Sequence, residues 1–231
     1  MKKDAKKIYS KKQIEKIETK IKLLGVSSKY DALTFLNIRL ITSILIFLII
    51  LINYKYGYIF SIIIVILYYY LFEKILLDNK INKRRKKLNV EAIYFFEVLT
   101  LSLQTGRNLV EAISITTNSI DSELSLEFKE ALRETKYGKS LNESLSDMQS
   151  KIPSDSINNI ILALTQANIY GSSIIDTMYN QVDYLRERRK LEVKAAISKV
   201  PTKISIISVF FFIPLILLII LGPAILTYIG Y

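Results

Sequence analysis

"GRNLVEAI" (Gly106–Ile113), "GKSLNESL" (Gly138–Leu145) and "GSSIIDTM" (Gly171–Met178) read almost as one phrase written three times, in a 231-residue chain with only seven glycines. Glycine suits the position just past a helix end, where a left-handed backbone is needed and a Cβ is penalised. Two residues after each glycine stand Asn108, Ser140 and Ser173, all good N-cap types. Three residues beyond the caps stand Glu111, Glu143 and Asp176, the spacing of a capping box or a close variant, which satisfies amides that a helix start leaves unpaired. Each phrase therefore reads as a joint: one helix ends and the next begins.

The flanks carry helical periodicity. Ala92, Phe96, Leu99 and Leu103 share a face before the first joint, and Leu109, Ala112, Ile113 and Thr116 follow it. Leu124, Phe128, Ala131 and Leu132 lead to the second joint, and Leu141, Leu145 and Met148 leave it. Pro153 opens a further helix with Ile157, Ile160, Ile161 and Leu164 on one side, and Ile174, Met178, Val182 and Leu185 follow the third joint. The expectation is six helices in about a hundred residues, an all-α bundle. The spacing of the glycines lies near the period of two-helix solenoids, but the aromatic signature of such repeats is missing and the Pro153 helix has no counterpart upstream.

Outside this region the chain is apolar: 51% of all residues are hydrophobic. Three runs concentrate them, from about Leu33 to Asn53, Tyr58 to Leu77 and Ile204 to Ile229. A bilayer core of about 30 Å needs about 20 helical residues, so all three are read as membrane spans, the first two as an antiparallel hairpin. Helices of that length that are apolar on every side have no role in a soluble core. The charged lead and the lack of a small-residue cleavage site argue against a signal peptide.

Charge orients the spans. Residues 1–35 carry ten lysines against four acids, residues 78–87 six bases against one acid, and residues 186–203 seven bases against two. Basic loops stay in the cytoplasm, so the N-terminus and residues 78–203 are expected inside and the C-terminus outside. The expected organisation is a basic cytoplasmic segment (1–32), a transmembrane hairpin (33–77), a cytoplasmic helical domain with a long stalk helix (78–203) and a final span (204–231). The stalk is expected to be interrupted at Pro201, which lacks an amide.

Despite a pI near 9.5, residues 89–185 hold thirteen acids and six bases, so a nucleic-acid role is not expected. The chain has no Cys and no His, which removes thiolate and imidazole metal sites and Ser-His or Cys-His nucleophiles. No cofactor is expected, and no phosphate-binding Gly-rich loop is present. A transporter or intramembrane enzyme would need polar groups at mid-membrane depth, where only a few serines stand. Arg84, Arg85, Arg186, Arg188, Arg189 and Lys190 are candidates for a basic collar on anionic lipid. Glu123, Glu127, Glu130, Arg133 and Glu134 are candidates for an exposed partner-binding face.

The hairpin, the Gly-started joints, the run "YGSSIIDTMYNQVDYLRERRKLEVKAAISKVPTKI" and the last apolar span together resemble the type II secretion system F domain, over about residues 80–230. A single such domain, with two spans before it and one after, is similar to the TadB/TadC branch found in Tad and type IV pilus machines. The resemblance implies a platform, not an enzyme, in the cytoplasmic (inner) membrane. It implies a cytoplasmic ATPase that acts on the soluble domain, pilins as cargo, and a paralogous subunit or a second copy as neighbour. Where several family members carry a glutamate three residues before the third glycine, this chain has Asn168. The competing reading is a membrane-anchored helical adaptor that recruits a soluble cytoplasmic protein.

Overall fold

Apolar side chains that recur every three to four residues favour helices over strands. The computed structural model describes residues 9–25, 31–53, 57–170 and 174–230, and it is helical with no strand among those residues. Helix α1 spans Lys11–Lys22, α2 Ala32–Asn53 and α3 Gly57–Glu73; a π-helical turn, Lys74–Asp78, leads into α4, Asn79–Gln104. Then come α5 (Leu109–Ser119), α6 (Glu123–Lys136), α7 (Leu141–Gln149), α8 (Asp155–Tyr170) and α9 (Ile174–Ile229). The chain divides into two compact units, Met1–Leu185 and Arg186–Tyr231.

The first unit holds two apolar cores. The larger draws on α4 to α8 and on the first three turns of α9, where Met178, Val182 and Leu185 are buried. At its centre Phe95 stacks on Phe128 with ring centroids 4.6 Å apart, and Phe96 meets Phe128 edge-on at 6.0 Å. Such pairs add about 0.5–1.5 kcal/mol beyond the area they bury. Ala92, Phe96, Leu99, Leu124, Phe128, Leu145, Ile157, Ile160, Ile161 and Leu164 are all buried here, as their spacing predicts.

The smaller core is the base of the hairpin. Phe35 packs on Phe72 (5.3 Å), Arg39 contacts Tyr69, and the Thr42 and Tyr68 hydroxyls share a hydrogen bond of 2.6 Å. Rising numbers on one helix meet falling numbers on the other, so α2 and α3 are antiparallel. The basic segment before them contains a helix that the sequence reading did not anticipate. In α1, Ile14, Ile17 and Ile21 lie on one face, and Ile17 is buried with Phe35, Leu36 and Leu77.

The second unit is the remainder of α9, which is unbroken from Ile174 to Ile229 with Pro201, Pro214 and Pro223 inside it. The expected interruption at Pro201 does not occur. Proline removes one amide and leaves one carbonyl unpaired, while neighbouring turns keep the helix going. The carbonyl that loses its amide partner is that of Ile197, and the Ser205 hydroxyl's bond to the Pro201 carbonyl at 3.0 Å is a separate contact. Among the described residues, two helices are long and apolar enough to cross a bilayer: Ala32–Ile52, and α9 within Ile174–Pro223, whose apolar window has no buried residue.

Candidate functional site

The joints form as local chemistry dictates where they can be followed. Gly106 and Gly138 take φ of +80° and +95°, with open space around each, so only the backbone conformation selects glycine there. Asn108 Oδ1 accepts from the Glu111 amide at 2.9 Å. At the second joint the capping box closes: Ser140 Oγ accepts from the Glu143 amide at 3.2 Å, and Glu143 Oε2 accepts from the Ser140 amide at 3.0 Å. Gly171 and Ser173 lie outside the described residues; Asp176 stands in the first turn of α9. Asn168 donates to Asn142 Oδ1 at 3.1 Å, linking α8 to α7.

The chemistry concentrates at two places in the first unit. One is Arg84, read above as a collar residue; the structure corrects this, because its side chain is buried and fully engaged. Arg84 Nε donates to Glu123 at 2.5 Å and Nη2 to Glu127 at 2.6 Å, while Nη1 donates to the Leu23 carbonyl (2.8 Å) and the Lys151 carbonyl (2.7 Å). One guanidinium thus joins the end of α1, the start of α6 and the loop after α7. Arg84 turns inward because it precedes Leu88 and Ala92 by one and two helical turns on the same face of α4. Glu127, expected on the exposed face, is only 3% exposed, since it neutralises this buried cation. Glu123 is partly buried. Burial raises its carboxyl, but hydrogen bonds from Arg84 and Lys87 outweigh this and hold it below the usual carboxylate range. Gly25, at φ +89°, lies so close that a Cβ would stand 2.5 Å from Arg84 Nη2.

The other place is the hairpin base. Lys20 of α1 donates to Glu73 at 2.7 Å and to Asp78 at 2.6 Å. On an α-helix, residues five apart lie about 140° around the axis from one another. The π turn, whose bonds run from i to i+5, brings Glu73 and Asp78 to one side, where a single ammonium reaches both. Burial lowers the Lys20 pKa, but the bonds to Asp78 and Glu73 prevail and raise it. Arg39 is buried, donates to Tyr69 (2.7 Å) and Glu73 (3.4 Å), and stacks over the Tyr69 ring.

The remaining sequence-selected residues are not brought together. Glu130 pairs with Arg133 at 2.7 Å on the surface of α6. Glu134 accepts from Lys139 (2.7 Å) and Lys151 (3.4 Å), which, with a smaller opposing effect of burial, keep its carboxyl low. Arg85 is exposed. Arg188 and Arg189 pair with Glu192, and Lys190 with Glu187. Because α9 is continuous, Lys190 stands about 21 Å along the axis from Ile204, where the apolar run begins. Lys199 and Lys203 are nearer to it. Lys20, Glu73 and Asp78 were missed: the isoleucine spacing of α1 signals an amphipathic helix, but nothing in the sequence marks a π turn.

The capped helices thus lead into α9, which runs unbroken into an apolar stretch. The family model of the type II secretion system (T2SS) protein F matches residues 95–222, more than half of the chain, and the chain belongs to that family. No curated protein and no solved structure gives a significant match. Members of the family are non-enzymatic platform proteins of secretion and pilus systems, and the family together with two apolar helices points to the inner membrane. The matched stretch starts inside α4. Arg84 lies before it, yet Glu123, Glu127 and Lys151 lie within it, so this contact fastens the family domain to the segment that precedes it.

Proposed function

We propose that this chain is the inner-membrane platform of a type II secretion or Tad-like type IV pilus machine, which couples a cytoplasmic ATPase to the assembly of pilins. The observation that carries the reading is the family match from within α4 to Gly222, which takes in both the capped helices and the apolar part of α9. Helix α3 is the third span: its 17 residues reach about 25 Å, and it lies antiparallel to α2. Helices α4 to α8 with the start of α9 form a six-helix cytoplasmic bundle, an arrangement supported by the basic stretches at 1–35, 78–87 and 186–203.

In this reading the ATPase engages the bundle through Glu130, Arg133 and Glu134, which keep their heads at the surface, and Glu127 is withdrawn from that face. Bundle motion passes along α9 into the membrane, where pilin helices and a paralogous or second platform subunit meet the spans. The collar on anionic lipid shifts to Lys199 and Lys203. A clean deletion should abolish filament assembly or secretion, and the tagged full chain should co-purify with the ATPase. Normal assembly in the deletion strain would refute the proposal. Capture of the ATPase without any crosslink to pilin helices would favour the adaptor reading.

A further inference from the structure

Beside the hairpin base lies a cavity of about 860 Å³ between α1, α3, the π turn and the start of α4. Its lining includes four cations, Lys16, Lys20, Arg39 and Lys74, and two carboxylates, Glu73 and Asp78. The carboxylates are already held by Lys20 and Arg39. Lys16 is 66% exposed and reaches Glu73 only at 3.5 Å, and Lys74 makes no ion pair among the described residues. The site therefore carries two cations in excess. Leu67, Tyr70 and Leu71 line it too, and they share one helix face with Lys74. Tyr70 is 74% exposed. A stripe that runs from apolar side chains to an uncommitted ammonium at the foot of a span matches a molecule with an apolar tail and a single negative head.

We infer that this cavity holds the phosphate headgroup of an anionic phospholipid between Lys16 and Lys74, with an acyl chain laid along Leu67, Tyr70 and Leu71. The inference rests on the reading of α2 and α3 as a membrane hairpin. The phosphodiester offsets one of the two excess charges, and because the π turn directs Glu73 and Asp78 toward Lys20, Glu73 reaches Lys16 only at 3.5 Å and neither carboxylate pairs with Lys74. Zwitterionic lipids carry an ammonium or trimethylammonium that meets the same cations, and they are bound less well.

The test uses the full chain. Carbonate extraction of membranes is done first: a chain that is released overturns the hairpin reading, and the lipid site with it. The detergent-purified chain is then titrated with phosphatidylglycerol, phosphatidylcholine or inorganic phosphate and followed by native mass spectrometry. The expected result is half-occupancy by phosphatidylglycerol at about tenfold lower concentration than by phosphatidylcholine. The difference is lost in the K16A/K74A variant, which changes exposed side chains only and keeps the helical circular dichroism of the parent. Equal binding of the two lipids, or a preference that survives in K16A/K74A, overturns the inference while leaving the membrane reading intact. Displacement of phosphatidylglycerol by millimolar inorganic phosphate also overturns it, by making the site one for a soluble anion.

Discussion

Arg84 and Arg85 are neighbours in one basic run, yet the helix turn between them sends one into a buried contact and leaves the other in water. Removing one partner of a buried charge cluster leaves its carboxylates uncompensated, so Arg84→Ala should destabilise the domain by about 3–5 kcal/mol. Arg85→Ala should stay within about 0.5 kcal/mol, as surface changes do. Thermal unfolding of the full chain in detergent separates the two, and equal effects would refute the buried role of Arg84. The contact also predicts an acid dependence. The Glu123 carboxyl is held below the ordinary value of 4.5, so its stabilising contribution is complete above that pH and is lost as pH falls through the lowered value. A midpoint of unfolding that does not move between pH 5 and pH 3 in wild type would contradict this.

At the scale of elements, the glycines differ in why they are needed. Gly138 is surrounded by open space, so Gly138→Ala should cost about 1 kcal/mol through backbone strain alone. Gly25→Ala adds a collision with Arg84 to the same strain and should cost distinctly more. Ser140→Ala, which opens the capping box, should cost about 1 kcal/mol, and Phe128→Ala, which empties the centre of the large core, about 3–5 kcal/mol. Unfolding midpoints of these four variants test the ranking. The core faces and the joints at Gly106 and Gly138 were legible in the sequence because they depend on local spacing: cap, carboxylate and apolar period lie within a few residues. The Arg84 contact was not, because its partners stand 39 to 67 residues away and the surrounding charges mask which arginine turns inward. The periodicity of Leu88 and Ala92 held the only hint. A π turn has no compositional mark, so the gathering of Lys20, Glu73 and Asp78 emerges only in three dimensions.

Across the whole molecule, a capped helical domain is fastened to the end of α1 through Arg84 and continues without a break into the last apolar helix. Continuity through Pro201 means that no hinge is required there. Pro201→Ala should therefore support full assembly in a complemented deletion strain, and a loss of function with normal protein levels would contradict this. In the proposed topology the domain formed by α4 to α8 faces the cytoplasm, where an ATPase can reach it. The natural chain has no cysteine, so single substitutions report topology without background. In intact cells a membrane-impermeant maleimide should label Tyr228→Cys and leave Asn118→Cys unlabelled until the inner membrane is opened. Labelling of Asn118→Cys from outside intact cells would contradict the account.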